Sequence, residues 1–205
     1  MWIKICGMTS AAAVSAAIEA GADAIGFVFA ESPRQLTPRA AATLAKAARA
    51  RVRCVAVTRH PDQRTLDEIL NVFRPDMLQT DLADFDALRL PGGLERLPVV
   101  RAGEPLPAVL PQRLLFEGPA SGRGVLTDLN AARALARRTA LVLAGGLTAG
   151  NVSGAITAVQ PFGVDVSSGV EERPGLKSSA LIVKFVSAVR AASAAPASSA
   201  REDSP

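Results

Sequence analysis

Two loops late in the sequence have residue types that could bind a phosphate group. Residues 143–147 read LAGGL and residues 163–171 read GVDVSSGVE, so each loop follows an apolar, strand-like run. Glycine allows backbone N–H groups to approach a dianion closely, and a short helical turn expected near 171–175 would add its dipole. One such loop could be an ordinary tight turn, whereas two in succession favour a phosphate site. The candidate ligands are Gly145, Gly146, Ser167, Ser168 and Gly169.

A cysteine near the amino terminus could act as a base. In the predicted first strand, Ile3 and Ile5 form the apolar face. Lys4 and Cys6 therefore share the other face, with Cys6 at the carboxyl end of the strand. A free thiol at its ordinary pKa of ~8.5 is only about 3% ionised at neutral pH, and a neighbouring lysine would promote ionisation. A buried, unreactive role is the alternative, and it is the preferred interpretation of Cys54.

An aspartate in the predicted eighth strand should face the same interior. Val164 and Val166 form the apolar face of that strand, which leaves Asp165 pointing the other way. If the sheet closes, the first and last strands are neighbours, and we predict an ion pair between Lys4 and Asp165. A structural role in a polar layer is favoured over direct participation in chemistry, and Asp165 stays a candidate substrate-binding residue.

A carboxylate could complement the thiol. Alternation in the predicted sixth strand places Glu117 on the inner face, at the exit of the strand. There it would lie across the mouth of a barrel from Cys6, and the two groups could serve as acid and base around one substrate. The alternative is that Glu117 accepts hydrogen bonds from amides of the following loop, 118–124.

These side chains need a scaffold that brings distant strands to one edge. Strand-like and helix-like runs alternate eight times, which implies a parallel sheet with right-handed crossovers. Eight strands can close into a single-domain (β/α)8 barrel, in which active sites lie at the carboxyl ends of the strands. An open doubly wound sheet is the alternative, but the first strand–helix turn has no G-x-G-x-x-G sequence. The predicted strands are 2–6, 23–29, 53–57, 76–80, 97–101, 113–117, 140–144 and 162–167.

The crossovers are predicted to be helical except for the fifth. Residues 103–111 contain three prolines and a glycine, so the fifth helix should be degenerate or absent. We expect the barrel domain to span 1–191 and the Ser-, Ala- and Pro-rich residues 192–205 to form a disordered tail. The other helices are expected at about 10–20, 38–50, 61–74, 82–90, 128–138, 149–159 and 177–191.

Composition narrows the possible partners. The 205-residue chain is 49% apolar and carries a formal charge of +4, but its arginines are scattered, which favours a solvated surface over nucleic-acid binding. No apolar run reaches membrane-spanning length and no signal pattern is present, so we expect a cytoplasmic protein with no membrane partner. Two cysteines in such a chain should be reduced, and a single histidine predicts no zinc site.

Several motifs, in order and in register, resemble one family. They are KICGMT at 4–9, GFVF at 26–29 with SPR at 32–34, LAGGL at 143–147 with NV at 151–152, and VDVSSGVE at 164–171 with PG at 174–175. Together they extend from residue 1 to about residue 190. This combination is similar to the phosphoribosylanthranilate isomerases and is far more specific than any one motif.

The resemblance implies a step of tryptophan biosynthesis. N-(5′-phosphoribosyl)anthranilate would be converted to 1-(2-carboxyphenylamino)-1-deoxyribulose 5-phosphate by an Amadori rearrangement that uses no cofactor and no metal. Cys6 matches the family's general base, Glu117 its general acid, and Arg34 the arginine that holds the anthranilate carboxylate. The implied partner is this small phosphoribosyl substrate. The family contains monomers and dimers, and a monomer is the default expectation.

Two positions depart from the family pattern. The family usually has aspartate where Glu117 lies and histidine where Asp81 lies. The acid would then be one methylene longer, with Asp128 as the alternative acid. Two other functions stay open: a phospho-ligand binder without catalysis, and the related sugar isomerase of histidine biosynthesis, against which Cys6 argues.

Overall fold

The computed structural model describes residues 1–118 and 127–194. Eight parallel strands form a closed barrel in which neighbours follow chain order, so the predicted barrel is confirmed. The strands are β1 (Trp2–Cys6), β2 (Ala24–Val28), β3 (Arg53–Val57), β4 (Met77–Asp81), β5 (Glu95–Arg101), β6 (Arg113–Glu117), β7 (Ala140–Leu143) and β8 (Gly163–Val166). β8 pairs with β1, and in that pairing Asp165 lies opposite Lys4.

Seven helices are seen in the described part of the chain. They are α1 (Ala11–Glu19), α2 (Pro38–Ala45), α3 (Gln63–Val72), α4 (Asp84–Ala87), α5 (Leu129–Ala136), α6 (Val152–Val159) and α7 (Ser179–Ala194). Polar side chains begin four of these helices by accepting hydrogen bonds from first-turn amides, which stabilises each by about 1 kcal/mol. These N-caps are Ser10, Thr37, Asp62 and Asp128.

The fourth and fifth crossovers contain little helix. The predicted helix at 82–90 is wrong beyond one turn, because the chain becomes extended at Leu88 and the Gln63 side chain bonds the backbone N–H and carbonyl of Arg89. No helix forms over 102–112, as the prolines there predict. The barrel is therefore less covered on this side than elsewhere.

The end of the last helix also differs from the prediction. Helix α7 continues to Ala194, three residues past its predicted end at 191. Its exposed and buried positions alternate at helical spacing, and Ile182, Phe185 and Val189 pack into the core. The rest of the predicted tail, residues 195–205, lies outside the described residues.

The predicted helical turn near 171–175 is wrong. A single 3-10 turn occupies Ser168–Val170, and a two-stranded antiparallel ribbon follows, formed by β9 (Glu171–Arg173) and β10 (Leu176–Lys177). The bend of the ribbon needs Gly175, whose φ is +82° and whose added Cβ would lie 2.5 Å from the carbonyl oxygen of Pro33. The Thr9 hydroxyl donates to the Gly175 carbonyl at 2.6 Å. The ribbon thus ties the loop after β8 to the loops after β1 and β2.

Alternation along the strands separates two apolar regions. One lies between the barrel and its helices, and a smaller one fills the middle of the barrel. The smaller one consists of Ala24, Val55, Met77, Leu97, Val99, Leu115, Val142 and Ala144. Polar residues occupy the same inner face at the carboxyl ends of the strands, where the predicted site lies. None of the helices in the described residues has the length and apolar character needed to cross a lipid bilayer.

Candidate active site at the carboxyl ends of the strands

The predicted thiol, lysine and aspartate meet inside the barrel. Lys4 Nζ lies 2.9 Å from Asp165 Oδ1 and Lys4 is fully buried, so the predicted ion pair is confirmed. Cys6 shares this inner face, because a Cβ built on Gly26 would lie 3.0 Å from Cys6 Sγ and 3.2 Å from Lys4 Nζ. A glycine at position 26 therefore leaves the space that the thiol and the ammonium group occupy side by side.

Burial and neighbouring charges act on the thiol in opposite directions. Burial raises the pKa of Cys6, Lys4 lowers it, Asp165 raises it and Lys177 lowers it, and the pKa ends above its ordinary value. The lysine does promote ionisation, as the sequence predicts, but burial outweighs it. Burial alone would lower the pKa of Lys4, yet Asp165 and Cys6 outweigh that and raise it. Both shifts favour the protonated form of the side chain, a thiol for Cys6 and an ammonium group for Lys4.

Glu117 lies at the carboxyl end of β6, two residues beyond Leu115 of the interior cluster. Arg101 Nε lies 3.3 Å from Glu117 Oε1. Arg101 Nη1 also lies 2.6 Å from Asp81 Oδ1 and 3.6 Å from Glu104 Oε1, so one guanidinium contacts three carboxylates. β7 and β8 separate β6 from β1, which places Glu117 on a different side of the mouth from the thiol.

The sequence predicts two alternatives to Glu117 as the acid: Glu117 could cap the following loop, and Asp128 could be the acid instead. The loop that Glu117 would otherwise cap lies mostly in 119–126, outside the described residues. Asp128, the alternative acid, is the N-cap of α5 and accepts from the amides of Asn130 and Ala131 at 2.9 and 3.1 Å. Its carboxylate is thus used to begin a helix.

Asp81 has a histidine partner that the sequence does not reveal. His60, in the loop after β3, places Nε2 3.0 Å from Asp81 and Nδ1 2.9 Å from Asp84. The ligand atoms of these three side chains lie within 4.8 Å of one another, which is a spacing that metal ligands can have. Because the imidazole already contacts both carboxylates, we interpret the group as a hydrogen-bonded network that supports Arg101 through Asp81.

The two predicted phosphate loops lie against each other. Gly145 and Gly146 have φ of +90° and +64°, values that favour glycine. Asn151 braces this loop by accepting from the Thr148 N–H and donating to the Gly146 carbonyl, both at 2.8 Å. A Cβ built on Gly169 would lie 1.9 Å from the carbonyl oxygen of Leu147, so the second loop needs glycine to approach the first.

Arg34 belongs to a buried charged cluster. Its Nε and Nη2 donate to the two carboxylate oxygens of Glu171, each at 2.7 Å. Lys177 Nζ donates to Glu171 Oε1 at 2.7 Å and to the carbonyl and hydroxyl oxygens of Ser167 at 2.9 and 3.2 Å. The hydrogen bond to Glu171 raises the pKa of Arg34 against the effect of burial. Burial would raise the pKa of Glu171, but Arg34 and Lys177 lower it overall.

The sequence predictions assign no role to Glu171 or Lys177. Lys177 is expected there to begin the last helix, whereas it ends β10 with a fully buried side chain. The local signals are that Glu171 ends the motif at 164–171 and that both residues flank the Pro174-Gly175 turn. Their contact with Arg34, 137 residues away in sequence for Glu171, has no local pattern.

Three comparisons with known proteins agree with this geometry. The family model described as N-(5′-phosphoribosyl)anthranilate isomerase matches residues 3–188. The N-(5′-phosphoribosyl)anthranilate isomerase of Brucella canis is 39% identical, over 95% of this chain and 96% of its own length. The TrpF crystal structure from Jonesia denitrificans is 36% identical, with a TM-score of 0.79 over 95% of this chain and 98% of that one.

A third relative has a ligand in its structure. This phosphoribosyl anthranilate isomerase, in complex with reduced 1-(o-carboxyphenylamino)-1-deoxyribulose 5-phosphate, is 25% identical to this chain. Its TM-score is 0.75, over 93% of this chain and 99% of that one. The barrel, its motifs and these matches together show that the chain belongs to the N-(5′-phosphoribosyl)anthranilate isomerase family, whose enzymes act in tryptophan biosynthesis.

Proposed function

We propose that this enzyme rearranges N-(5′-phosphoribosyl)anthranilate with Cys6 as the general base and Glu117 as the general acid. The observation that supports this best is the position of the thiol, inside the barrel mouth and beside Lys4. A cation next to a thiol lowers the free energy of the thiolate, which is the form that removes a proton. Glu117 provides a carboxyl group on another side of the same mouth.

The proposed reaction begins with opening of the sugar ring. Glu117 gives its proton to the ring oxygen, the bond from that oxygen to C1′ breaks, and the anthranilate nitrogen becomes part of a Schiff base. The imine acidifies the proton on C2′, which the Cys6 thiolate removes to give an enolamine. Tautomerisation to the ketone releases the proton of the C2′ hydroxyl and adds one to C1′, and exchange with water returns Glu117 and Cys6 to their starting protonation states. Protons only change position, so the rearrangement is redox-neutral overall.

Two further parts of the site would hold the ends of the substrate. The backbone around Gly145, Gly146 and Ser167–Gly169 would bind the phosphate, since its glycines let N–H groups come close to an anion. Arg34 would bind the anthranilate carboxylate. Asp165 would act mainly through Lys4, by keeping that ammonium group in place. The reduced product bound by the relative described above supports a phosphoribosyl ligand for this site.

A phospho-ligand binder without turnover is the alternative that the sequence leaves open, and the matches to isomerases favour the enzyme over it. Binding of a phosphoribosyl compound without product after hours would support it. A cytoplasmic location and a monomeric state stay predictions.

The test is an assay of the purified protein on N-(5′-phosphoribosyl)anthranilate, with loss of anthranilate fluorescence as the signal. Cys6→Ala and Glu117→Gln should each lower kcat by about 10²- to 10⁴-fold, the usual contribution of a positioned acid or base. The matched controls are Cys54→Ala and Glu68→Gln, an exposed position on α3, which should keep wild-type turnover. Near-normal kcat in Cys6→Ala would remove the proposed base, and in Glu117→Gln it would move the acid role elsewhere.

A further inference from the structure

We propose that Glu171 and Lys177 are positioning residues that make the site specific for an aryl amine carrying a carboxylate. They would do so by fixing Arg34 in place while leaving one positive charge available to the ligand. This inference rests on the proposed function of the same site and extends it to two residues with no contact to the reacting atoms.

The first step concerns which part of Arg34 is occupied. Glu171 binds the edge formed by Nε and Nη2, at 2.7 Å to each nitrogen. A guanidinium has five donors in a rigid plane, so the edge formed by Nη1 and Nη2 can receive a second carboxylate. Within 1–118 and 127–194 no other hydrogen bond to the Arg34 guanidinium is seen, which leaves that edge for a ligand.

The second step concerns charge. A bidentate pair of Arg34 and Glu171 alone would be neutral and would attract an anion weakly. Lys177 changes this balance, because its Nζ donates to three oxygens and so uses all the donors of an ammonium group. Two cations and one anion leave a net charge of +1 on the cluster. The Lys177 and Glu171 side chains are 0% and 4% exposed, so water screens this charge poorly.

The third step concerns geometry. Lys177 contacts both Glu171 and Ser167, so it connects the residue that fixes Arg34 to the loop proposed for the phosphate. Gly7 adds to the constraint, because a Cβ there would lie 2.5 Å from Arg34 Cδ. The distance between the two anion-binding ends of the site is thereby fixed by buried contacts. A ligand with a phosphate at one end and a carboxylate at the other would use both ends.

A binding experiment can test this inference independently of catalysis. The probes are the reduced product, 1-(2-carboxyphenylamino)-1-deoxyribitol 5-phosphate, and its analogue without the carboxylate, with Kd measured by calorimetry. Glu171→Gln should weaken the carboxylated probe about tenfold or more and the analogue less than twofold, because only the former uses Arg34. In an Arg34→Ala background, Glu171→Gln should have no further effect on the ratio of the two affinities.

Other outcomes would overturn the inference. If Glu171 only neutralises charge, Glu171→Gln makes the site more positive and tightens the carboxylated probe. If its role is only structural, both probes weaken equally. Glu171→Asp, which keeps the charge but shortens the side chain, should give an intermediate loss of selectivity and serves if Glu171→Gln fails to fold. Glu95→Gln, which removes an exposed partner of Arg53, is the control and should change neither Kd.

Failure of the proposed function looks different from failure of this inference. Wild-type protein that binds neither probe would contradict the proposed function itself. Wild-type protein that binds both probes, together with a Glu171→Gln variant of unchanged selectivity, would contradict only the positioning role.

Discussion

The two ends of the barrel carry similar charges in different surroundings. At the carboxyl ends of the strands, Lys4–Asp165, Arg34–Glu171 and Lys177–Glu171 are at 2.7 to 2.9 Å with side chains no more than 10% exposed. At the amino ends, Arg53–Glu95 is also at 2.7 Å, but these side chains are 56% and 36% exposed. Equal distances therefore do not imply equal energies, since exposed pairs are worth at most about 1 kcal/mol.

The amino ends also use their cations differently. The Arg113 guanidinium carbon lies 4.7 Å above the Phe162 ring and 5.8 Å above the Trp2 ring. This cation stabilises a stacked aromatic pair, Trp2 and Phe162, that is partly exposed. At the other end the cations are buried at considerable desolvation cost, next to a thiol and two glycine-rich loops. The comparison shows that these buried charged side chains lie at the end of the barrel where an anionic ligand is expected.

The largest effect should come from breaking a buried pair. Lys4→Met leaves Asp165 as an uncompensated buried charge and should lower the free energy of unfolding by about 3–5 kcal/mol. Arg53→Met, its counterpart at the amino ends, should cost at most about 1 kcal/mol. Urea unfolding of both variants checks this. Equal losses would mean that burial is not what separates the two ends.

An intermediate effect is expected from two crowded glycines. A Cβ on Gly169 would lie 1.9 Å from the Leu147 carbonyl oxygen, and one on Gly163 would lie 2.7 Å from that of Trp2. Both alanine variants should lose about 1–3 kcal/mol of stability through forced backbone shifts. Only Gly169→Ala, at the carboxyl ends, should also raise KM, by about tenfold. A similar rise in KM for Gly163→Ala would contradict the assignment of function to one end.

The smallest expected effect concerns how ionisation of Cys6, at the carboxyl ends of the strands, depends on pH. The base must be a thiolate, and burial holds the pKa of Cys6 above its ordinary value. The logarithm of the rate at which iodoacetamide alkylates Cys6, which follows the thiolate alone, should therefore keep rising with pH through neutrality, by up to one unit per pH unit. Arg53→Met and Cys54→Ala should leave this profile unchanged. A plateau already present below pH 7 would show that the thiolate forms more easily than the structure implies.

The strands and their inner faces could be predicted from the sequence because a strand has a period of two. Val164 and Val166 identify the outer face of β8, and the ion pair of Asp165 with Lys4 follows once the barrel closes. The absence of a helix in the fifth crossover follows from the prolines and the glycine of residues 103–111. In such cases the deciding information is local, so the sequence is sufficient.

The parts that could not be predicted depend on contacts between distant loops. The strands β9 and β10 are too short to show an alternating apolar pattern in the sequence. The bend between them depends on the close approach of Gly175 to Pro33. The one-turn α4 ends because the Gln63 side chain binds the backbone of Arg89. The sequence predicts that Lys177 begins a helix, whereas it lies in the ribbon and its Nζ donates to the Ser167 carbonyl oxygen.

The contact between α7 and the amino terminus makes this fold suited to circular permutation. Arg190 donates to the carbonyls of Met1 and Gly21 at 2.9 and 2.8 Å, so the start of β1 lies beside the last helix. The helix-free fifth crossover is exposed, with Val109 84% accessible, and offers a place for new ends. A chain reopened there would carry Glu117, Glu171, Cys6 and Arg34 in that order, with the charged cluster much closer in sequence and its loop-closure entropy reduced.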